Sequence, residues 1–483
     1  MIKRYLQLFS FFVSLQMLAG CSTNPATGDN QFTAFMSPAQ ENQIGAQEHK
    51  KVIKEYGLYK DKNLQNYVSG VGQKVVKYTE RGDVRYKFYL LDSPVVNAFA
   101  LPGGYIYVTR GVMALSNSED ELAAVLGHEA GHITARHSAE RYSRGVATTL
   151  GTTILSAVID SSGVSQALGI GSDLYLKSYS RGQESQADTL GIRYLTKAGY
   201  APNGMAAFLS NLQADSALQA SLDGNKSKNT NSFFSTHPGT AERINKTIIE
   251  ARQYKQQGII NHEGHLRLIN GMVYGDSAAQ GFVRGQSFFH PDLGFKFSVP
   301  NGYKIINQPS QVVANGKNGG AIIFDFAPNK DGIDPLRFLN NVWLKGEPST
   351  NSQPIVINGM KAATTSVRGS ANGRAVNIRL IAIQWSANQI ARFQVIVPPN
   401  ASTAQLNALK TSTYSFNRMS KGEKASLRPY RIKVITARSG DNVTSLSRHM
   451  AQKDNKERRF RVLNGLKPND RIVSGRLYKI VVE

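Results

Sequence analysis

Apolar positions along the chain follow two periods, and the switches between them divide it into regions. Ser37-Pro38-Ala39-Gln40 opens the first helical pattern, with Ser37 as N-cap, Pro38 at the first helical position and Gln40 completing a capping box. That pattern runs to about residue 56, and a second runs over 64–78. Short runs rich in aromatic and β-branched residues follow at 86–91, 95–101 and 105–109. Asp92-Ser93-Pro94 and Gly103-Gly104 break them, so they predict a small antiparallel sheet. From 118 to about 257 the period is helical again. Ser118-Glu119-Asp120-Glu121 reads as a capping box with three acids in the first turn, and Gly199 as a helix stop. Residues 145–159 are apolar and end at Asp160, too short for a clear membrane span, and read as a buried or lid helix.

Beyond Gly258, β-like runs alternate with Gly, Asn and Pro turns, and one helical piece lies near 335–344. The expected organisation is α+β throughout. A mostly helical domain with a small antiparallel sheet covers 37–286, an α+β accessory domain covers 287–418, and a small βααβ module covers 421–483.

Composition narrows the class. With 57 Lys and Arg against 34 Asp and Glu, the net charge is +23, and 41% of positions are hydrophobic. A mean hydropathy of −0.31 excludes a bundle of membrane helices, and the apolar fraction excludes a disordered chain. One Cys excludes a disulfide framework. That Cys lies at 21, behind Lys3, Arg4, an apolar run and Leu18-Ala19-Gly20. The arrangement resembles a bacterial lipoprotein signal over 1–20, which makes Cys21 a lipid anchor and 21–36 a polar tether. By resemblance to sorted lipoproteins, Ser22 rather than Asp in the following position implies the periplasmic face of the outer membrane. In that setting the positive charge suits anionic envelope surfaces, and nucleic acid is not an expected partner.

His128-Glu129-Ala130-Gly131-His132 is the strongest chemical signal. Spacing of four stacks the two imidazoles on one helix face, where a single zinc ion can bridge them. Glu129 falls about 100° round the helix, beside the metal, in the place of a base acting on a water there. Extension to a third histidine ligand would need Gly at 135 and His at 138, but the chain has Ala135 and Ser138. His137 is one residue out of register and reads as a surface histidine. A carboxylate from a later helix remains, and Glu184 and Asp188 lie one turn apart, a pairing that a nearby cation would relieve. His262-Glu263-Gly264-His265 has the wrong spacing for a second site and reads as a loop.

Asn97 to Gly104, the helix carrying Glu121 to His132, Arg181 to Asp188, and Thr236-His237-Pro238 with Arg243 occur in order. Together they resemble the zinc endopeptidases of the HtpX, BepA and CAAX prenyl protease group over about residues 37–257. The resemblance implies a zincin peptidase domain holding one Zn2+ per chain, with His128, His132 and Glu184 as ligands and Glu129 as catalytic base. Asp188 would be a proton donor or the partner that orients a ligand imidazole. His237 would stabilise an oxyanion or act as a fourth, latency-enforcing ligand. Asn97, Ala98 and Phe99 would bind an extended substrate along a strand edge, and unfolded or misfolded envelope proteins are the implied substrates. The last 63 residues, with 16 Lys or Arg against 6 acids, resemble a LysM-like module and make peptidoglycan a candidate partner. Two other readings stay open: a latent-protease chaperone or assembly factor, and a peptidoglycan-binding scaffold.

Overall fold

The computed structural model describes residues 21–156, 178–222, 233–238, 241–255, 257–371 and 373–483. The expected signal segment 1–20 and residues 157–159 of the expected lid helix lie outside them. The chain forms two compact units, one of residues 1–275 with 430–483 and one of 276–429.

In the first unit, residues 21–36, expected as a tether, contain a two-stranded hairpin of β1 (Cys21–Thr23) and β2 (Asn30–Phe32). The helix Pro38–Tyr56 starts as expected, with Ser37 and Gln40 closing the capping box. After the helix Lys62–Val76 come β3 (Lys87–Leu91), β4 (Ala98–Leu101) and β5 (Tyr105–Thr109), in the order β3-β5-β4. The sheet is mixed where an antiparallel one was expected: β4 pairs antiparallel to β5, but β3 runs parallel to it. The tight Pro102-Gly103-Gly104 turn dictates the hairpin, whereas the preceding crossover lets β5 take the centre. Both faces are covered. Ala98, Ala100, Ile106 and Val108 join the main core, while Phe99, Leu101, Tyr105 and Tyr107 pack with Val52 of the first long helix. Burial on both faces explains the unbroken apolar runs.

All sixteen residues of the helix Glu119–Thr134 are buried. Ser118 is its N-cap, but the expected capping box does not close, because the Ser118 hydroxyl makes no cap bond and Glu121 accepts from the Asn117 N–H instead. The helix Arg181–Lys197 crosses it at a seam of small residues. A Cβ on Gly127 would come within 3.1 Å of the Gly191 carbonyl, and one on Gly191 within 2.9 Å of the His128 nitrogen. The helix His137–Ser156 follows the first of these, and among the described residues no helix is long and apolar enough to cross a membrane. His262-Glu263-Gly264-His265, expected as a loop, begins the helix His262–Ile269. His262 contacts the carbonyls of Asn117 and Leu477 and His265 meets the Tyr67 hydroxyl, so tertiary bonds stabilise this turn.

The C-terminal segment has the strand, helix, helix, strand order expected of it: Tyr430–Thr436, Val443–Ser447, Lys456–Leu463 and Leu477–Val482. Its strands pair with each other and, through Tyr430 and Arg431, with Val273–Tyr274. Leu446, Phe460 and Ile480 belong to the same core cluster as Leu122, Leu126 and Leu195. Lys479 is fully buried and donates to the carbonyls of Ala114 and Ser116 at 2.7 Å each, just before the Glu119–Thr134 helix.

The second unit is built on an antiparallel seven-stranded sheet whose edges are Tyr303–Asn307 and Thr350–Ile357, with a four-stranded sheet beside it. One face of the larger sheet carries Ile381, Ile383 and Phe393, and the other packs Leu380 and Ala382 on Phe338 and Leu339.

Two outcomes are expected. Burial depresses the Lys479 amine and raises Glu121, whose charges act on each other across the helix start. Lys479→Met leaves the buried Ala114 and Ser116 carbonyls without their donor and should lower unfolding free energy by about 1–3 kcal/mol. Glu121→Gln added to it should recover part, both read by urea denaturation. Burial also raises the Asp120 carboxyl from 3.8 to about 6. The folded state thus holds a proton that the unfolded chain has released, and stability falls as pH rises from about 4 through 6. Asp120→Asn should flatten this slope in a thermal-melt series, removing at most about 3 kcal/mol of it.

Candidate metal centre

Local structure places the donors before any metal is considered. His128 and His132 lie one turn apart on the Glu119–Thr134 helix, with 1% exposure each. Ser180 caps the helix Arg181–Lys197 with Gln183 completing the box, which sets Glu184 in its first turn and Asp188 one turn on. The small-residue seam brings these helices close enough for Glu184 to reach both imidazoles. His237 follows the short helix Phe233–Thr236, its backbone N–H bonded to the Phe233 carbonyl and its ring stacked on Phe233 at 4.3 Å.

His128, His132, Glu184 and His237 each offer one ligand atom, and the four atoms lie within 4.8 Å of one another. His128 Nε2 is 3.1 Å from His132 Nε2 and 3.3 Å from His237 Nδ1. Glu184 Oε1 is 3.4 Å from His132 Nε2 and 2.9 Å from His237 Nδ1. Tetrahedral zinc with N and O donors at about 2.0–2.1 Å requires ligand atoms about 3.3 Å apart, so the donor set fits such an ion. Glu129 is fully buried beside them, 3.5 Å from His237 Nε2, and neither carboxylate oxygen has a hydrogen-bond partner among the described residues. A buried carboxylate with open lone pairs next to a cation cage is suited to taking a proton from water. Burial raises its pKa, and the His237 and His128 charges oppose that rise.

Asp188 Oδ1 lies 2.9 Å from His128 Nδ1, and Arg243 clasps Asp188 through Nε and through Nη2 at 2.8 Å. Arg243 Nη1 also reaches Glu184 Oε2 at 2.7 Å. Burial alone would raise Asp188, but Arg243 and His128 outweigh it and leave the carboxyl below its ordinary value. Asp188 thus faces His128 as an anion clasped by Arg243. The sequence linked Arg243 to the motif without a role; its two-carboxylate clasp is visible only in the fold.

His137 corrects an expectation. It is buried, not on the surface, and its Nδ1 is 2.8 Å from His132 Nδ1. Helical extrapolation failed because the Glu119–Thr134 helix ends before it. Arg136 takes φ 55°, and a new helix starts at His137, turning that ring back toward His132. Arg136 is pinned there by Glu41, the Met36 carbonyl and Thr33. Tyr179 was not singled out at all; its ring stacks on His132 at 3.8 Å and the Arg141 guanidinium lies 4.1 Å from its centroid. No local pattern signals such a residue.

The expected substrate-binding residues lie beside the centre. β4 is the edge of its sheet, Ala98 and Phe99 are buried, and Asn97 accepts from the Thr236 hydroxyl at 3.4 Å. The Phe233 N–H binds the Val96 carbonyl, so the segment bearing His237 is fastened to the start of that strand.

Residues 62–249 match the family described as peptidase family M48. This stretch is an M48 peptidase domain. Relatives of this chain include the mitochondrial metalloendopeptidase OMA1 of Schizosaccharomyces pombe, 31% identical over 46% of this chain and 65% of that protein. The putative beta-barrel assembly-enhancing protease of Vibrio cholerae is 30% identical over 42% of each chain. The metalloprotease YcaL of Escherichia coli is 33% identical over 33% of this chain and 59% of that one. The chain thus spans less than two thirds of the length of each of these relatives.

Asp188→Asn keeps the shape but weakens the hold on His128 and Arg243. Metal affinity should fall about 10–100-fold, measured by competition with a chromogenic chelator, as for other partners of ligand imidazoles.

Proposed function

We propose that this protein is a zinc-dependent endopeptidase of the bacterial cell envelope. The observation that carries the reading is the buried His128, His132, Glu184 and His237 cluster beside the Glu129 carboxylate, which has no hydrogen bond among the described residues. A bound zinc ion would supply Lewis-acid polarisation and acidify water. Glu129 would take the proton from the attacking water and pass it to the leaving amine. Asp188 would orient His128, with Arg243 keeping that carboxylate ionised. An extended substrate would lie along β4 at Asn97, Ala98 and Phe99 by strand addition.

Unfolded or misfolded envelope proteins are the substrate class that fits such an edge, and two of the relatives are named as beta-barrel assembly-enhancing proteases. Cys21 would anchor the chain by lipid to the outer membrane. The basic C-terminal segment could take peptidoglycan as partner, while its share in the peptidase core ties it to this unit. A second reading, a latent protease acting as chaperone, gains support from His237: four protein donors close the coordination that a catalytic zinc leaves open.

Degradation of casein by the chain from Ser22 tests this, alongside elemental analysis of metal. Stoichiometric zinc with cleavage abolished in Glu129→Gln is expected, and cleavage should rise in His237→Ala if His237 enforces latency. Absence of zinc from the wild-type protein would sink the site assignment.

A further inference from the structure

We infer that His137 is the positioning residue for the metal ligand His132, and that through Gln186 it ties that ligand to the N-terminal hairpin. The inference rests on the metallopeptidase reading above, since it concerns how one ligand is held.

Proton bookkeeping gives the relay a direction. His132 points Nε2 at His128 and Glu184, at 3.1 and 3.4 Å, so Nε2 is the ligating atom. An imidazole that ligates through Nε2 carries its proton on Nδ1 and must donate there. The group facing His132 Nδ1 is His137 Nδ1, at 2.8 Å. To accept, His137 must be neutral with its own proton on Nε2. That Nε2 lies 2.7 Å from Gln186 Oε1, an atom that can only accept. The chain of donors therefore runs from His132 to His137 to Gln186.

Gln186 is oriented from its far side. Its Oε1 also accepts from Asn24 Nδ2 at 3.2 Å, and its Nε2 reaches Thr27 Oγ1 at 3.4 Å and Asp29 Oδ2 at 3.5 Å. Exchanging amide oxygen and nitrogen would set donor against donor at both His137 and Asn24, so the orientation is determined at both ends. Asn24 is 3% exposed and is itself fixed by the hairpin turn, its N–H bonded to the Asp29 carbonyl and its carbonyl accepting from Gly28. Asn24 stands three residues after Cys21, so the hairpin that leads away from the proposed anchor ends its hydrogen bonding at a metal ligand.

The test measures zinc affinity of the purified full chain by chelator competition, with thermal unfolding of the metal-free forms as control. His137→Phe, which fills the space without accepting a proton, should weaken zinc binding about 10–100-fold with little change in metal-free Tm. His137→Gln, which can accept from His132 and donate onward, should stay near wild type. Gln186→Leu, on a partly exposed helix position, should weaken binding in the same direction and serves if His137→Phe does not fold. Zinc held as tightly by His137→Phe as by wild type overturns the inference while leaving the metallopeptidase reading intact. A loss matched by an equal fall in metal-free Tm, with no rescue by His137→Gln, overturns it as well. A wild-type chain that binds no zinc removes both.

Discussion

The constraint on which the site depends is the close approach of two helices. His128 and His132 stand on one and Glu184 and Asp188 on the other, and the backbones meet where Gly127 and Gly131 face Gly191 and Ala187. A Cβ at Gly131 would lie only 3.1 Å from the Ala187 carbonyl, so the seam tolerates little more than what is there. At that approach Glu184 reaches both imidazoles, with Oε1 3.4 Å from His132 Nε2 and Oε2 3.5 Å from His128 Nε2. The small residues thus have a chemical consequence, which is to set the donor spacing.

Gathering charge in that seam raises an electrostatic difficulty. Glu129, Glu184 and Asp188 are all buried, and buried carboxylates require compensation. Arg243 bridges two of them and His128 touches two, so part of the charge is balanced within the protein. Among the described residues Glu129 has no hydrogen bond, which is unfavourable for stability and useful for a base. The ring of Tyr179 stacks on His132 and that of Phe233 on His237, so the cluster is buried among aromatic side chains, which strengthens each of these interactions.

Both ends of the first unit are drawn toward the same helix. From the N-terminal side, the hairpin reaches His132 through Gln186 and His137. From the C-terminal side, Lys479 satisfies the carbonyls of Ala114 and Ser116 ahead of the helix, and Phe460 and Ile480 complete its core. Chain segments some 350 residues apart in sequence therefore meet at one element, since Lys479 and Ser116 differ by 363 positions.

Local chemistry was legible directly. Four-residue spacing put His128 with His132 and Glu184 with Asp188, and the Ser37 box marked a helix start, because such features depend on turns of a few residues. The strand, helix, helix, strand order of the C-terminal segment was legible for the same reason. What depends on distant contacts was not. Ser118 failed to close its box because Asn117 met Glu121 first, and β3 and β5 run parallel because a loop, not a tight turn, joins β3 to the hairpin. His137 turned inward because Glu41, Thr33 and Met36 hold Arg136 at a positive φ that no periodicity anticipates. The sequence by itself determined which residues share a helix face. Only the tertiary structure decided which faces meet, since that follows from packing between segments whose separation along the chain carries no signal.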